Sequence, residues 1–241
     1  MTTAIYDIIT ARARKGEKML VRLIDPDKFD ASTLCGGFDF HFVGGSTASA
    51  DCAEVVRAIH AATDTPVVLF PGNPKQFTAE ADALLYLTLM NSRDPRFLID
   101  WQQQAAAEVI ASGLESIPMG YVLVDGGRQS TTERLTGAVP LPQDKPEAIV
   151  RLAQTAQLTG KRLIYLEAGS GARVPVSADV IRAVRQGISV PLIVGGGIRT
   201  TEQMLEAFRA GADLVVIGNY FEQHPEKTSD FVEVLSRVKR D

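Results

Sequence analysis

Eight short apolar runs recur along this chain, and most end in or run into glycine, serine or an acid. They are "MLVRLID" (19–25), "FHFVGGS" (40–46), "PVVLFPG" (66–72), "ALLYLTL" (83–89), "GYVLVDG" (120–126), "RLIYLEAG" (162–169), "PLIVGGG" (191–197) and "DLVVIGN" (213–219). Their positions are apolar in succession rather than in alternation, the pattern of parallel strands covered on both faces. Helical spacing of apolar residues fills most of the intervals, over 52–63, 97–112, 146–159, 178–186 and 201–209, and again over 229–239. Eight such units predict an α/β fold, a (β/α)8 TIM barrel, with the active site at the C-terminal strand ends. A doubly wound open sheet is the alternative. No Pro/Gly/Ser-rich linker or charge run divides residues 1–241, so a single domain is expected.

One unit is irregular. Only "NPKQFTAEAD" (73–82) separates the third run from the fourth, and it is short for a barrel helix and holds a proline. An irregular or missing third helix would leave a gap in the barrel wall that admits something long and apolar. A single short helix packed over the strands is the other reading.

The strand ends carry the chemistry. Gly195, Gly196 and Gly197 close the seventh run, and Gly218 and Asn219 close the eighth. Glycines let backbone N–H groups approach a ligand closely, and a helix starting at Thr200 or Thr201 would aim its positive end at the same place. Loops after strands seven and eight are the usual phosphate site of this fold. The sixth run ends in Glu167 and passes into Ala168-Gly169-Ser170-Gly171-Ala172; Tyr165 and Glu167, two apart on a strand, point the same way. A carboxylate there is placed to take a proton from a hydroxyl of a bound phosphate ester. A salt bridge lining the barrel is the alternative role for Glu167, and a tight turn is the alternative for the glycine triplet.

Across the mouth, Asp25 ends the first run and Ser46 follows the second. A carboxylate and a hydroxyl at adjacent strand ends are hard oxygen ligands suited to Mg²⁺ held largely by substrate phosphates and water. A turn-capping Asp25 is the alternative. Two anion sites at one mouth suggest two phosphorylated substrates, and so a transferase. Asp125 is a further acid at a strand end, without an assigned role.

Other classes recede. A net charge of -4 gives no bulk attraction to nucleic acid, and no apolar run is long enough to span a membrane. A transient membrane contact stays open. Cys35 and Cys52 read as free thiols of a cytoplasmic protein, and His41, His60 and His224 lack metal-ligand spacing. GxGxxG, HExxH, GxSxG and P-loop patterns are all absent.

"LIDPDK", "VGGS", "YLEAGSGA", "GGGI" and "VVIGN", in this order at these strand ends, make the chain resemble the geranylgeranylglyceryl phosphate synthase family, including its bacterial heptaprenylglyceryl phosphate synthase relatives. The resemblance spans essentially the full length. It implies a Mg²⁺-dependent prenyltransferase that joins the prenyl group of geranylgeranyl diphosphate, or a related polyprenyl diphosphate, to the C3 hydroxyl of sn-glycerol 1-phosphate, forming an ether lipid precursor. By position, Asp25 and Ser46 match the family's Mg²⁺ sites. Tyr165, Leu166, Glu167, Ala168, Gly169, Ser170, Gly171, Gly196, Gly197, Gly218 and Asn219 match its glycerol phosphate contacts, with Glu167 and Tyr165 as the catalytic pair. Trp101, the lone tryptophan, is either a core residue or a stop at the far end of a prenyl groove, with Met90, Asn91 and Ser92 nearby. A homo-oligomer is expected. The competing readings are an isomerase or lyase of a sugar or indole phosphate, and a barrel that binds a phosphate ligand without catalysis.

Overall fold

The computed structural model describes residues 3–46 and 49–238. Its centre is a closed barrel of parallel strands in chain order: β1 (Met19–Ile24), β2 (Phe40–Val43), β3 (Val67–Leu69), β4 (Ala83–Leu89), β5 (Ser116–Leu123), β6 (Leu163–Glu167), β7 (Leu192–Gly195) and β8 (Leu214–Ile217). Closure is made by β1 on β8, with Met19 opposite Leu214 and Arg22 opposite Ile217. Alternate residues fill the interior, among them Val21, Phe42, Leu85, Met119, Tyr165, Ile193 and Val216. The residues between them, such as Leu20, Val122, Ile164, Val194 and Val215, pack outward against helices. Nearly every strand residue is therefore covered on one side or the other, which is why the runs are largely apolar.

The helices are α1 (Ile5–Arg14), α2 (Cys52–Ala62), α3 (Trp101–Ser112), α4 (Thr131–Thr136), α5 (Pro146–Leu158), α6 (Ala178–Gly187), α7 (Thr201–Ala210), α8 (Asn219–Gln223) and α9 (Thr228–Val238). The expected final run reached 239, and Lys239 lies outside the described residues. Three of these helices had no counterpart in the sequence reading: α1, α4 and α8. The first closes the barrel's lower end. Ile5 and Ile9 are buried against the interior cluster, and the Glu115 carboxylate accepts the N–H groups of Ile5 at 2.6 Å and Tyr6 at 3.0 Å. A carboxylate at a helix N-terminus satisfies otherwise open donors and opposes the helix dipole.

The fifth strand begins at Ser116, four residues before the expected 120, so that Pro118 lies inside it. Pro118 stands opposite Tyr86 in the ladder, and its carbonyl still accepts the Arg162 N–H at 2.7 Å. Gly120 faces α5. A β-carbon there would lie 2.6 Å from that of Ala156, so the missing side chain lets the helix sit close to the sheet.

The third unit has no α-helix. Between β3 and β4 there is a single 3-10 turn, Pro74–Gln76, set by Asn73, whose side chain accepts the Lys75 N–H at 2.9 Å. Gln76 is buried and ties this segment to the loop after β2, donating to the Gly45 carbonyl at 2.8 Å. A wall element is thus replaced by an extended strap, leaving the flank between Phe77 and α3 unfilled.

Candidate active site

A cavity of about 440 Å³ opens at the C-terminal end of the barrel. Of the residues singled out from sequence, Asp25, Ser46, Tyr165, Glu167, Ser170, Gly171, Gly196, Gly218 and Asn219 all line it. Trp101 lines it as well. Gly169 and Gly197 stand just behind this lining, and the side chains of Leu166 and Ala168 turn outward into the helix-packed core, so only their backbone faces the loop side.

Glu167 is the centre of the arrangement. Its side chain is 7% exposed, and Oε1 accepts the Gly169 N–H at 2.7 Å while the Tyr165 hydroxyl donates to the same carboxylate. No cation pairs with it among the described residues, so the salt-bridge role does not hold. Burial pushes its pKa up to about 7, against the two hydrogen bonds, which pull the other way. A carboxylate poised there exchanges a proton near neutral pH. Burial also holds the Tyr165 and Tyr121 hydroxyls well above the usual phenol range, with the nearby Glu167 charge adding to it. Tyr165 is fixed by rings on both sides: Phe70 stacks on it at 5.4 Å and Tyr121 leans on it at 5.2 Å.

The neighbouring loop is built around this acid. At Gly196, with φ +81°, an added β-carbon would lie 2.7 Å from the Gly169 nitrogen and would press on the Glu167 carboxylate. Only glycine lets the loops after β6 and β7 approach so closely. The start of α7 is satisfied by its own capping box, in which the Thr200 hydroxyl accepts the Gln203 N–H, and Gln203 Oε1 accepts from Arg199 at 2.8 Å. A second helix at the mouth, α8, begins directly after Gly218 and has no side-chain cap.

On the opposite side, Asp25 caps a 3-10 turn, accepting the Asp27 N–H at 3.1 Å, and meets the Lys28 ammonium at 3.2 Å. Lys28 in turn reaches Glu222 of α8 at 3.0 Å. Asp25 thus does cap a turn while still facing the cavity. No cluster of three His, Cys, Asp or Glu groups able to cage a metal exists among the described residues. One carboxylate, one hydroxyl and an open cavity suit a hard cation that brings phosphate and water ligands with it. Ser46 Oγ lies 3.2 Å from Thr132 Oγ1 of α4, so the loop after β2 meets the loop after β5 over the cavity.

Several lining residues escaped the sequence reading: Phe70, Tyr121, Thr132, Leu135 and the Lys28–Glu222 pair. A capping box at Ser130–Glu133 was the available signal for α4. Asp125 turns away from the cavity and holds the Gly127 N–H at 2.8 Å, and Asn91 ties loops together by donating to the Leu123 and Val139 carbonyls.

The cavity continues sideways. Pro71, Gly72, Leu87, Arg96, Phe97 and Trp101 border both it and an apolar groove of about 70 Å³ that runs past Phe77, Ala105 and Val109. This groove occupies the flank left open by the missing third helix. A π-helical turn, Arg96–Asp100, precedes α3 and sets Phe97 edge-on to Trp101 at 4.6 Å, so the two rings stand where cavity and groove join.

The sequence model of the PcrB family matches residues 12–235. A geranylgeranylglyceryl phosphate synthase of Zunongwangia profunda is 45% identical over 226 residues, covering 90% of this chain and 97% of that one. One of Spirosoma linguale is 46% identical over 236 residues, covering 94% and 93%. Among solved structures, (S)-3-O-geranylgeranylglyceryl phosphate synthase from Thermoplasma acidophilum, in complex with its substrate sn-glycerol-1-phosphate, superposes with a TM-score of 0.87 at 33% identity, over 99% of this chain and 98% of that one.

The raised pKa of Glu167 carries a stability cost with a definite sign. Its contribution is fully present below the unfolded value near 4.5 and is lost as pH rises through about 7. Glu167→Gln is therefore expected to match the wild type closely at pH 4.5 but to be more stable at pH 8, by about 3 kcal/mol. Urea unfolding at the two pH values measures this; equal stability at pH 8 would contradict the burial account.

Proposed function

The chain belongs to the PcrB family, and on that premise we propose that it is a prenyltransferase joining the prenyl group of a polyprenyl diphosphate to the C3 hydroxyl of sn-glycerol 1-phosphate. The observation that supports this most is the pairing of a buried, neutral-range Glu167 with glycine loops on one side of the mouth and Asp25 with an apolar side groove on the other. An isomerase or lyase of a small phosphate ester has no use for that groove.

In this reading the phosphate of sn-glycerol 1-phosphate lies against the backbone of Ser170, Gly171, Gly196, Gly218 and Asn219, where N–H groups approach without side-chain obstruction. Glu167 orients the C3 hydroxyl and takes its proton as the oxygen bonds to C1 of the prenyl group. The allylic C–O bond breaks in the same event, and diphosphate departs with the electron pair. Tyr165 donates to the Glu167 carboxylate and keeps it aimed. Asp25 and Ser46 would hold Mg²⁺, which when bound offsets the charge of the diphosphate leaving group. Lys28 stands beside Asp25 as a second positive group for the same phosphates. The prenyl chain enters the side groove at Phe97 and Trp101.

Purified protein with Mg²⁺, labelled sn-glycerol 1-phosphate and geranylgeranyl diphosphate should yield a labelled, solvent-extractable ether, lost on chelation. In Glu167→Gln, kcat is expected to fall by about 10²–10⁴. The wild-type kcat/KM should rise with pH through about 7, as Glu167 ionises. No extractable product with any prenyl diphosphate would reject the reading.

Trp101 is read as the residue that limits chain length, standing partway along the path rather than at its end. Trp101→Ala should shift the kcat/KM ratio for heptaprenyl over geranylgeranyl diphosphate upward by about tenfold or more, since a lost bulky contact is worth a few kcal/mol. An unchanged ratio, from parallel assays of the two substrates, would make Trp101 a packing residue only.

A further inference from the structure

Seven large apolar side chains stand exposed among the described residues, and four of them are on the loops that follow β4, β5 and β6: Ile99 (57% exposed), Leu135 (42%), Val139 (72%) and Val174 (50%). Scattered apolar side chains on a surface need no explanation. These are not scattered. Asn91, after β4, donates to the Val139 carbonyl at 2.7 Å, and the Arg173 and Val174 N–H groups donate to Gly126, after β5, at 2.8 and 3.1 Å. Arg199, after β7, donates to the carbonyls of Ala172 and Arg173. Four consecutive loops are thereby joined into one arc along the cavity rim.

The same arc is cationic. Arg93, Arg96, Arg128, Arg134, Arg173 and Arg199 are all exposed on it. Its acids are fewer: Asp94 pairs with Arg96, Asp125 and Glu133 hold the Gly127 and Ser130 N–H groups, and Asp100 and Asp144 stand exposed beside them. Among the described residues Arg93, Arg128, Arg134 and Arg173 have no ion-pair partner, and the loops after β6 and β7 contain arginine and no acid. The opposite half of the mouth is more acidic, with Asp25, Asp27 and Asp30 against Lys28 on the loop after β1. A chain of net charge -4 has therefore gathered unpaired guanidinium groups and apolar side chains on one half of one face.

We propose that this half of the rim, from the loop after β4 to the loop after β7, docks on an anionic lipid surface. Arginine with interleaved aliphatic side chains is the chemistry that recognises anionic headgroups over an apolar interior. Leu135 both lines the cavity and stands exposed on the arc, so it links the apolar rim to the cavity. A prenyl tail could then leave the bilayer, and the ether product return to it, with little exposure to water. The proposal rests on the prenyltransferase reading for its purpose, but its test does not.

The probe is flotation of the full chain with phosphatidylcholine vesicles, with or without one-third phosphatidylglycerol. Binding is expected to the anionic vesicles at low salt, to weaken as salt screens the charges, and to be slight on phosphatidylcholine alone. Arg128→Glu with Arg173→Glu should lower the affinity by at least about tenfold, and Val139→Ser with Val174→Ser by several-fold. None of these four side chains lines the cavity, so turnover of detergent-dispersed prenyl diphosphate should be unchanged, which also shows that the variants fold. No flotation of the wild type, or equal flotation of the variants, overturns the proposal. A variant-induced change of molecular mass in solution also overturns it, by making the arc a contact between copies of this chain. Flotation is read without substrate, so its failure strikes the docking proposal alone, whereas absence of product from detergent-dispersed substrate strikes the prenyltransferase reading.

Discussion

Burial of the Glu167 carboxyl at the end of β6 is the interaction around which the mouth of this barrel is arranged. An acid excluded from water must be hydrogen-bonded or neutral, and here it is held between the two by one backbone N–H and one tyrosine hydroxyl. The surrounding sequence follows from that position. Gly196 is bare because a side chain would press on the carboxylate, and Gly169 turns its amide back toward it with φ +99°. Tyr165 is itself fixed by Phe70 and Tyr121. The glycines are therefore required twice, once to leave room for the acid and once to leave backbone N–H groups open to an anion.

The second determinant is what the barrel lacks. Without a helix between β3 and β4, the outer face of that sector is covered by a strap pinned through Gln76, and the space beside α3 stays apolar and open. A π-helical turn then rotates Phe97 and Trp101 to the junction of that space with the polar mouth. Polar chemistry and apolar storage are thus adjacent but separate, as a reaction between a phosphate ester and a prenyl chain requires.

The closed parallel barrel and its missing third helix were legible because two-sided burial writes continuous apolar runs, and because ten residues with a proline are too few for a packed helix. Glu167, the β6 loop and Asp25 were legible as acids and glycines at strand ends. What failed to show was long-range or exceptional. The start of β5 is masked by Pro118, and Gly120 sits inside the strand with Ala156 of α5 packed into the space a side chain would take. The Lys28–Glu222 pair joins residues 194 apart, and no local pattern reports it. The capping box that Thr200 and Gln203 make at the start of α7 is a pairing of side chain to backbone that a search for glycine and helix starts does not weigh.

Proton transfer at this mouth rests on a single carboxyl, Glu167. Direct titration of the Glu167 carboxyl by carbon NMR of side-chain-labelled glutamate, assigned by comparison with Glu167→Gln, tests it most simply. The account predicts one resonance that titrates near 7, apart from the other glutamates, and is missing in the variant. A Glu167 resonance that titrates with the rest, near the ordinary glutamate value of about 4.3, would contradict it.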